Sequence, residues 1–457
     1  MELHGERVLV VGTGKSGIAA ATLLYRKGAT VILQDGNAAL SESEVESRLP
    51  EDVSATVVIG DLEESDFGNI DLVVLSPGVP TDLPMLENFR VNQIPIWGEI
   101  ELAYQAGKGR VAAITGTNGK TTTTALTGEI MKTYYKSVYV VGNIGNPYTD
   151  IALDTTEESV IVAEMSSFQL ETVDTFCPEV SAILNITPDH LNRHHTMENY
   201  IEAKARIFRN QTKDQFLILN YEDETLRGLA EQVEASVVYF SSARELKDGI
   251  YLNKDGDIIC SSNGEKETVL NVKDMNLLGV HNYENVMAAV AISLHMGVPM
   301  ECIRKAVCEF KAVEHRIEYT RTVNGVRYYN DSKGTNPDAA IKGIQAMDAK
   351  TYLIGGGYDK KSSYEEWIRA FDGKVKKLIL IGQTKMDIAR ACETCGFKDY
   401  VLADNMEEAV DICYHEAEEG ECVLLSPACA SWGMYPNYEV RGKHFKELVA
   451  ALPERNS

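Results

Sequence analysis

The chain has 457 residues, of which 44% are hydrophobic and 25% are charged, and its formal net charge is −24. The composition is typical of a globular protein, and the length is too great for a single hydrophobic core. A nucleic-acid-binding protein needs a basic face and a membrane span needs a long apolar run, so we predict neither nucleic-acid binding nor membrane insertion. We expect a cytoplasmic protein of three domains that acts as a monomer.

A glycine-rich turn near the N-terminus follows a predicted buried strand, Arg7 to Val11. Residues 12–17 fit the pattern G-x-G-x-x-G, and a helix from Ile18 to Tyr25 and a strand from Thr30 to Asp35 are predicted to follow. A helix N-terminus behind such a turn binds a diphosphate, and Asp35 could accept a hydrogen bond from a ribose or a sugar. Three interpretations stay open: a dehydrogenase dinucleotide site, a UDP-sugar site, and a packing turn without a ligand. The candidate contacts in the turn are Gly14, Lys15, Ser16 and Gly17.

A further predicted strand, Asp71 to Leu75, runs into the tight turn Ser76-Pro77-Gly78. Open α/β sheets bind ligands at the carboxyl ends of strands, so Ser76 and Gly78 are also candidate contacts. Strands and helices alternate along the whole chain, which predicts mostly parallel sheets covered by helices. We place the domains at residues 1–98, 99–311 and 312–457, with an acidic helix from Glu99 to Gln105 opening the second.

The remaining elements are predicted from short apolar runs. The predicted strands are residues 160–164, 180–184 and 216–219 in the second domain, and 352–354, 378–381 and 423–425 in the third. The polar stretch 241–273 predicts an irregular or small-sheet insertion, and a helix from Tyr283 to Met296 follows it. The nine cysteines are odd in number and scattered, which indicates reduced thiols. Cys392 and Cys395 form a C-x-x-C pair without further ligands, so we expect helix or loop cysteines rather than a zinc or redox site.

The most informative segment is residues 112–122, an apolar run followed by Thr-Gly-Thr-Asn-Gly-Lys-Thr-Thr. Backbone N–H groups of such a turn can face phosphate oxygens, Lys120 can reach the terminal phosphates, and the Thr121 hydroxyl can bind Mg²⁺. The match to the phosphate-loop pattern is incomplete because Ile114 stands where that pattern has a glycine, and a plain strand-to-helix turn is the alternative. The four threonines 121–124 favour a phosphate loop, since they begin a helix poorly unless their hydroxyls are used. The predicted ATP contacts are Gly116, Thr117, Asn118, Gly119, Lys120, Thr121 and Thr122.

Two polar positions follow strands of the same domain. Glu164 closes a predicted strand and is well placed to hold Mg²⁺, the alternative being a capping or surface acid. The segment Asn185 to His195 contains three histidines, but adjacent His194 and His195 would point in different directions and no cysteine accompanies them. We therefore interpret His190 as the single working imidazole and the other two as loop residues.

The segment Tyr200 to Phe208 is predicted to be helical, with Ile201, Ala205 and Phe208 on one face. Lys204 lies on the flank of that face. A lysine there usually extends its ammonium group to solvent along apolar surface.

Nine motifs follow one another along the whole chain: TGTNGKTT at 115–122, GNIG at 142–145, AEMSSFQLE at 163–171, NITPDHLNRH at 185–194, EAKARIF at 202–208, GVHNYEN at 279–285, EHRIE at 314–318, NDSKGTNP at 330–337 and LSPACAS at 425–431. Their order resembles the Mur ligase family, and within it the branch that adds D-glutamate. The resemblance implies an N-terminal Rossmann-like UDP-binding domain, a central P-loop ATPase-like domain with a mostly parallel sheet, and a C-terminal Rossmann-like domain.

The resemblance also implies a reaction. ATP would phosphorylate the terminal carboxylate of UDP-N-acetylmuramoyl-L-alanine, and the amine of D-glutamate would attack the acyl phosphate to form an amide. In the family the lysine matching Lys204 is carbamylated, which makes it an anionic oxygen ligand. Together with Glu164 and His190 it would serve the Mg²⁺ sites.

Further site residues are implied by position in the motifs. Asn282 and Asn285 match adenine-contacting asparagines, although helix capping is the alternative, and Arg316, Asp331 and Lys333 match the nucleotide site. Asn143 and Ser166 would contact the muramoyl substrate. The D-glutamate site would include Thr335, Lys361, Ser431 and Tyr438. Gly334, Tyr438 and residues 432–435 depart from the family pattern, which leaves the packing around D-glutamate open.

Other functions stay in view. Another ligase of the family, such as a folylpolyglutamate synthase, is disfavoured by the N-terminal G-x-G-x-x-G domain and by NDSKGTNP. A nicotinamide dehydrogenase or a noncatalytic nucleotide-binding module would leave Lys120, Glu164 and His190 without a role.

Overall fold

The computed structural model describes residues 3–62, 69–311, 313–358 and 362–454. The chain forms two compact units: unit 1 contains Met1–Val272 and Glu284–Val307, and unit 2 contains Lys273–Tyr283 and Cys308–Ser457. Unit 1 therefore includes the greater part of the first two predicted domains. The predicted boundaries at residues 98 and 311 stay predictions.

Five parallel strands form the first sheet of unit 1: β1 (Arg7–Val11), β2 (Thr30–Asp35), β3 (Thr56–Ile59), β4 (Leu72–Leu75) and β5 (Ile96–Gly98). The helices between them are α1 (Lys15–Arg26), α2 (Glu42–Glu46) and α3 (Pro84–Val91). The order is β3-β2-β1-β4-β5. The strand order thus reverses at β1, and the crevice beside the carboxyl ends of β1 and β4 is where such sheets bind ligands.

Nine strands form the second sheet of unit 1: β6 (Arg110–Thr115), β7 (Val138–Gly142), β8 (Val160–Glu164), β9 (Val180–Ile183), β10 (Phe216–Asn220), β11 (Ser236–Ser241), β12 (Gly249–Leu252), β13 (Asp257–Ser262) and β14 (Glu265–Asn271). The order is β14-β13-β12-β11-β10-β9-β6-β8-β7. Across the sheet from β7 to β12, each strand pairs parallel with its neighbour. The last two pairs, β12 with β13 and β13 with β14, are antiparallel. The predicted small-sheet insertion is thus an extension of this sheet.

The helices of the central segment are α4 (Glu99–Ala106), α5 (Lys120–Lys132), α6 (Ser167–Leu170), α7 (Leu191–His194), α8 (Met197–Ala205), α9 (Glu224–Ala230), α10 (Val280–His295) and α11 (Met300–Glu309). Helix α10 starts three residues before the predicted Tyr283. No helix in the described part of the chain is both long enough and apolar enough to cross a membrane.

Unit 2 contains a six-stranded sheet in the order β15-β16-β20-β17-β18-β19. These strands are β15 (Glu318–Val323), β16 (Val326–Asn330), β17 (Thr351–Gly355), β18 (Val375–Leu380), β19 (Tyr400–Leu402) and β20 (Cys422–Leu425). The helices are α12 (Pro337–Ala346), α13 (Glu365–Arg369), α14 (Lys385–Cys395), α15 (Met406–Glu416) and α16 (Tyr438–Ala451). Only β15 and β16 pair antiparallel. All nine cysteines are free, and Cys392 and Cys395 lie in α14. The predicted three mostly parallel sheets are confirmed.

One hydrophobic core joins the two sheets of unit 1. It runs from Val8 and Val10 of β1, through Ile100 and Leu102 of α4, to Val111 of β6. Apolar burial of this size is the main favourable contribution to folding. The first sheet therefore rests on the second through α4.

The predicted acidic helix α4 is buried rather than exposed. The side chain of Glu101 is inaccessible to solvent. Its carboxylate accepts hydrogen bonds from the backbone N–H groups of Asp174 (3.0 Å), Thr175 (3.1 Å) and Phe176 (3.0 Å). Glu99 is also buried, and burial raises the pKa of its carboxyl to about 7, although Gln169 donates to it. These carboxylates therefore accept hydrogen bonds from the segment before β9 and are not exposed to water.

We predict that Glu101→Ala lowers the free energy of unfolding by about 3 kcal/mol, because three buried N–H groups lose their acceptor. Urea unfolding followed by circular dichroism measures the change. Glu129→Ala, at a half-exposed glutamate of α5 paired with Lys132, is the matched control and should stay within about 0.5 kcal/mol of the wild type. Equal stability of the two variants would contradict the structural role of Glu101.

Candidate active site

The phosphate loop, residues 116–119, connects β6 to α5. Gly119 adopts φ +87°, in the left-handed region that favours glycine, and a Cβ there would lie 2.2 Å from Oδ1 of Asn285. Nζ of Lys120 folds back over the loop and donates to the carbonyl oxygens of Gly116 (2.7 Å) and Thr117 (2.9 Å). The loop and its lysine therefore form one compact turn at the start of α5.

Asn185, which follows β9, holds the phosphate loop from the side. Its backbone oxygen accepts from the N–H of Thr117 (2.9 Å), and its Oδ1 accepts from the N–H of Asn118 (2.8 Å). These two N–H groups are thus used inside the protein. The donors left for a phosphate are those of the first turn of α5, which have no acceptor within the helix. The sequence analysis did not single out Asn185, and its position directly after a strand was the signal available.

The threonines that begin α5 do not all use their hydroxyls. Thr121 and Thr122 lie in the first turn, but the hydroxyls of Thr123 and Thr124 are buried with no hydrogen-bond partner among the residues described. The prediction that all four threonine hydroxyls are used is therefore wrong for Thr123 and Thr124. They fill space in the core, where their shape matches that of valine.

Glu164 ends β8, which is a direct neighbour of β6. Its Oε1 accepts from Nδ2 of Asn143 (2.8 Å), a residue of the loop after β7. Its Oε2 is buried, and the described part of the chain supplies it with no hydrogen-bond donor. A buried carboxylate oxygen without a donor is costly unless a cation binds it.

The amine of Lys204 is buried beside the phosphate loop. Its Nζ donates to the carbonyl oxygen of Gly116 (2.9 Å) and lies 3.3 Å from Oγ1 of Thr115. Only 1% of the residue is exposed. Burial, with the positive charge of Lys120 nearby, lowers the pKa of this amine well below its usual range. The interpretation of Lys204 as a lysine that extends to solvent is therefore wrong.

The face of α8 that packs inward differs from the predicted one. Tyr200, Ala203 and Lys204, followed by Ile207, are buried, whereas Ile201, Ala205 and Phe208 are only partly buried. The two faces differ by a rotation of about one residue, and apolarity alone favoured the wrong one because the buried face carries a tyrosine and a lysine.

The three histidines after β9 have different environments. His190 is half exposed, with its ring 3.5 Å from the carboxylate of Asp189, and His195 is exposed. His194 is buried in α7, with Nε2 2.9 Å from Oγ of Ser167, so its interpretation as a loop residue is wrong. The described residues offer no cluster of three or more imidazole, thiolate or carboxylate ligands around Glu164 or His190.

A cleft of about 440 Å³ lies between the carboxyl ends of β1 and β4 and the loop after β7. This N-terminal cleft is lined by predicted contacts from four segments, namely Gly14, Lys15, Ser16, Asp35, Ser76, Gly78 and Asn143. All of them lie in unit 1. The structure thus brings together residues that the sequence analysis assigned to one substrate.

The three glycines of the turn have different functions. A Cβ at Gly17 would lie 1.8 Å from the carbonyl oxygen of Gly12, and a Cβ at Gly12 would lie 2.9 Å from Ser76, so both are required for packing. A Cβ at Gly14 would meet nothing within 4 Å. Gly14, which caps α1, therefore leaves open space where a ligand can approach the helix N-terminus.

The polar side chains of the turn are held in place. Oδ2 of Asp35 accepts from the N–H (2.9 Å) and hydroxyl (2.7 Å) of Thr13. Nζ of Lys15 donates to the carbonyl oxygen of Gly145 (3.0 Å), in the loop after β7. Ser166 caps α6 through a reciprocal pair of bonds with Gln169. The cleft is thus bordered by preorganised groups from both sheets of unit 1.

In unit 2, the carboxylate of Asp331 lies at the end of β16. It accepts from Oγ of Ser426 (2.7 Å) and from the N–H of Ile317 (3.3 Å). Burial raises the pKa of the carboxyl to about 7, opposed by the charge of Arg316. Nε of Arg316 is buried and, within the described ranges, has no hydrogen-bond partner. A Cβ at Gly334 would lie 2.6 Å from Oδ2 of Asp331 and 2.9 Å from Oγ of Ser426, so a larger residue there would require these side chains to move.

The other predicted residues of unit 2 that the structure describes lie after β16, after β20, and in the helices α10 and α16. Lys333 is placed over the ring of Tyr438, with Nζ 5.5 Å from the centroid, and Thr335 donates its N–H to the carbonyl oxygen of Lys333 (2.8 Å). Ser431 is buried in the loop after β20. Lys361 lies outside the described residues. Asn282 does not cap α10, since it lies in the first turn and donates to the carbonyl oxygen of Leu278 (2.7 Å).

Arg441 was missed by the sequence analysis and joins the loops after β16 and β20. It is 1% exposed and donates to Oγ (3.0 Å) and the carbonyl oxygen (2.8 Å) of Ser332 and to the carbonyl oxygen of Cys429 (3.1 Å). Charged residues flank it in α16, so the sequence gives no signal of its burial. Nearby, Trp432, the first residue of the stretch 432–435, is 53% exposed and packs edge-on against Tyr358.

A cluster of Glu314, His315 and Glu318 has ligand atoms within 4.8 Å of one another. Lys446 donates to Glu314 (2.9 Å) and Glu318 (2.5 Å). Both carboxylates are thus already paired with one ammonium group, and a metal site is not required to explain their positions.

Comparison with known proteins agrees with this architecture. Three family models match consecutive parts of the chain: "Mur ligase MurD-like, N-terminal domain" (residues 6–98), "Mur ligase middle domain" (114–293) and "Mur ligase, glutamate ligase domain" (315–429). Proteins named UDP-N-acetylmuramoylalanine--D-glutamate ligase are similar over 99% of this chain and the whole of their own length. Identity is 57% for that of Lachnoclostridium phytofermentans, 56% for Lachnospira eligens and 47% for Clostridioides difficile.

Solved structures share the fold. UDP-N-acetylmuramate-alanine ligase MurC of Thermotoga maritima superimposes with a TM-score of 0.60 at 19% identity, covering 98% of this chain and 99% of that one. MurF ligase of the same organism, in complex with ADP, gives 0.59 at 17% identity, covering 98% and 95%. With relatives more than half identical along its whole length and a matching model for each of its three sheets, the chain belongs to the Mur ligase family.

Proposed function

We propose that this chain is an ATP-dependent ligase that joins D-glutamate to UDP-N-acetylmuramoyl-L-alanine in the cytoplasmic synthesis of peptidoglycan precursors. The relatives that match its whole length carry the name of that reaction. The observation that carries the proposal is the position of the phosphate loop on β6, directly beside the strand that ends in Glu164. This arrangement suits phosphoryl transfer and has no use in a nicotinamide dehydrogenase.

In the proposed reaction the substrate carboxylate attacks the terminal phosphorus of ATP, which releases ADP and forms an acyl phosphate. The amine of D-glutamate then attacks the acyl carbon, loses a proton, and expels phosphate as the amide forms. The N–H groups of the first turn of α5 would hold the phosphates, and the loop 116–119 would bring them to that turn. The ammonium of Lys120 would leave its two loop carbonyls and contact the transferred phosphoryl group.

Glu164 fits a Mg²⁺ ligand. Mg²⁺ prefers hard oxygen ligands, and Oε2 of Glu164 is a buried carboxylate oxygen that lacks a donor among the described residues. The Thr121 hydroxyl at the start of α5 and the half-exposed imidazole of His190 are the further proposed ligands. When bound, Mg²⁺ would neutralise charge that develops on the transferred phosphoryl group.

Lys204 fits a carbamylated residue. Burial, with the charge of Lys120 nearby, lowers the pKa of the amine well below its usual range, which favours the neutral form, and a neutral amine is nucleophilic. Nitrogen would add to the carbon of CO₂, one C=O bond electron pair would move to oxygen, and nitrogen would release one proton. The product would keep one N–H to donate to the carbonyl oxygen of Gly116, while its two oxygens supply the negative charge that a Mg²⁺ site needs.

The N-terminal cleft is the proposed site of the UDP-bearing substrate. The open space at Gly14 lets a diphosphate approach the N-terminus of α1, and the wall formed by Ser76 and Gly78 faces it. Oδ2 of Asp35 accepts a hydrogen bond from the hydroxyl of Thr13, and its Oδ1 accepts one from the backbone N–H of Asn37. Asn143 lines the cleft and also donates a hydrogen bond to Glu164. It is therefore suited to position the reacting end of the substrate.

Residues of unit 2 are proposed to contact the nucleotide and D-glutamate. Arg316, Asp331 and Lys333 would serve the nucleotide, with Asn282 and, from unit 1, Asn285. The orphaned Nε of Arg316 supports an acidic or polar ligand there, as the described residues give it no partner. Thr335, Lys361, Ser431 and Tyr438 are proposed for D-glutamate. A monomeric state remains a prediction.

Phosphate release tests the reaction and the phosphate loop together. With ATP and UDP-N-acetylmuramoyl-L-alanine, the wild type should release phosphate when D-glutamate is added and not when L-glutamate is added. Lys120→Ala should lower turnover at least ~1,000-fold with an unchanged circular dichroism spectrum, because it removes a cation aimed at the transferred phosphoryl group.

The matched control is Lys132→Ala, an exposed lysine at the other end of α5 paired with Glu129, which should keep wild-type activity. Equal activity of Lys120→Ala and Lys132→Ala would refute the phosphate-loop assignment. Phosphate release with L-glutamate alone would refute the assigned amino acid.

Gly14→Val tests the N-terminal cleft. The backbone at Gly14 has φ −69°, which valine can adopt, so the main effect is a side chain in the open space above the helix N-terminus. We expect the KM for the UDP-bearing substrate to rise about 10-fold or more and the KM for ATP to stay within about 2-fold. Gly228→Val, at an exposed position of α9 with similar free space, is the control. Tight NADH binding without affinity for the UDP-bearing substrate would instead favour the dehydrogenase.

Lys204→Ala distinguishes a carbamate from a structural lysine. We expect near-complete loss of activity, partial recovery with added acetate or formate in the vacated space, and lower wild-type activity after exhaustive removal of CO₂ and bicarbonate. Lys213→Ala, at an exposed loop lysine, should be unaffected. Full activity of Lys204→Ala without any additive would reject the carbamate, and Asp189 would then be the next ligand to test.

A further inference from the structure

The proposed roles do not explain Arg193, a mostly buried cation of unit 1. Arg193 lies in α7, and Nη2 donates both to the carbonyl oxygen of Val79 (2.8 Å) and to Oε2 of Glu171 (2.6 Å). The side chains of Arg193 and Glu171 are each 14% exposed. The guanidinium also lies over the ring of Phe168, 4.9 Å from its centroid. One side chain thus connects three segments that are distant in the sequence.

The contact with Val79 fixes a wall of the N-terminal cleft. The N–H of Val79 donates to the carbonyl oxygen of Ser76 (2.9 Å), which closes the turn after β4. Gly78 and Val79 both line the cleft. The hydrogen bond from Arg193 holds this turn at its far end, so its loss would let the wall move.

The other contacts fix the loop that carries His190. His190 and His195, on either side of α7, have φ values of +53° and +67°, in the left-handed region that residues with a side chain rarely adopt. Such conformations persist only where the surroundings hold them. Arg193 and His194 are the anchors between the two positions, since both are nearly buried and contact Glu171.

Glu171 and Phe168 contact both Arg193 and histidines of this loop. Oε2 of Glu171 accepts from Arg193, and Oε1 lies 3.3 Å from Nδ1 of His194. The ring of Phe168 packs edge-on against His190 at 5.0 Å and lies 5.6 Å from the ring of His194. A shift of the guanidinium would therefore displace Phe168, which packs against the His190 ring, and Glu171, which contacts His194 in the same loop.

We propose that Arg193 is a positioning residue that couples the wall of the N-terminal cleft to the loop presenting His190. The proposal rests on the proposed function, in which the cleft holds the UDP-bearing substrate and His190 serves the metal. Removal of Arg193 should then impair substrate binding and turnover together. D-glutamate binding, assigned to other residues, should be unaffected.

Steady-state kinetics of Arg193→Ala and Arg193→Lys test the coupling. For Arg193→Ala, kcat should fall, the KM for the UDP-bearing substrate should rise, and kcat/KM should drop about 100-fold, as expected when reacting groups are misplaced by about 1 Å. Arg193→Lys should lie between this and the wild type, because an ammonium keeps the charge near Glu171 without the planar two-acceptor geometry. The KM for D-glutamate should change less than 2-fold. Arg209→Ala, an exposed arginine of the same unit, is the control.

Hydrogen–deuterium exchange without ligands gives a readout independent of activity. In Arg193→Ala, peptides covering residues 74–82 and 186–196 should both exchange faster while the rest of unit 1 is unchanged. Unchanged exchange in both segments, or faster exchange in only one, would overturn the coupling. Faster exchange throughout unit 1, together with a lower Tm in both Arg193→Ala and Arg193→Lys, would also overturn the coupling, because Arg193 would then have a purely structural role. A wild type that releases no phosphate would refute the proposed function, and the exchange comparison would still decide the coupling.

Discussion

The position of β6 between β8 and β9 governs the candidate active site. All three strands are parallel, so their carboxyl ends lie at one edge of the sheet. The phosphate loop, Glu164 and Asn185 follow these ends and meet there although they are far apart in the sequence. Asn185 holds the loop through two of its N–H groups, which leaves the start of α5 as the place for a phosphate. The sheet order therefore decides both the support and the accessible part of the loop.

A charge constraint follows from this geometry. The carbonyl oxygen of Gly116 accepts from the amines of both Lys120 and Lys204, so two ammonium groups would lie close together in a buried site. Repulsion and burial both disfavour charge on Lys204, the more buried of the two. A carbamate on that nitrogen would turn the repulsion into attraction. The same environment thus accounts for a lysine placed beside a proposed cation site.

The shared core of unit 1 relates the two halves of the proposed chemistry. The first sheet is joined to the second through the buried helix α4, and Lys15 and Arg193 add polar contacts between them. The N-terminal cleft is consequently built from both sheets. The residues proposed to bind substrate and metal can then be held at defined separations by packing as well as by local loop structure.

The sequence alone predicted the most apolar strands of the three sheets, the glycine turns and the family, because apolar runs, glycine spacing and motif order can be read directly from the sequence. It also placed Glu164 at the end of a strand and His190 in the segment that follows another strand. Only the tertiary structure decided which face of α8 is buried, that Glu101 and Arg441 lie inside, and that Arg193 reaches Val79. A glutamate or an arginine is ranked as a surface residue by its polarity, and its burial depends on partners such as residues 174–176, more than 70 positions away. Those partners are supplied by the packing of distant segments, which no local pattern records.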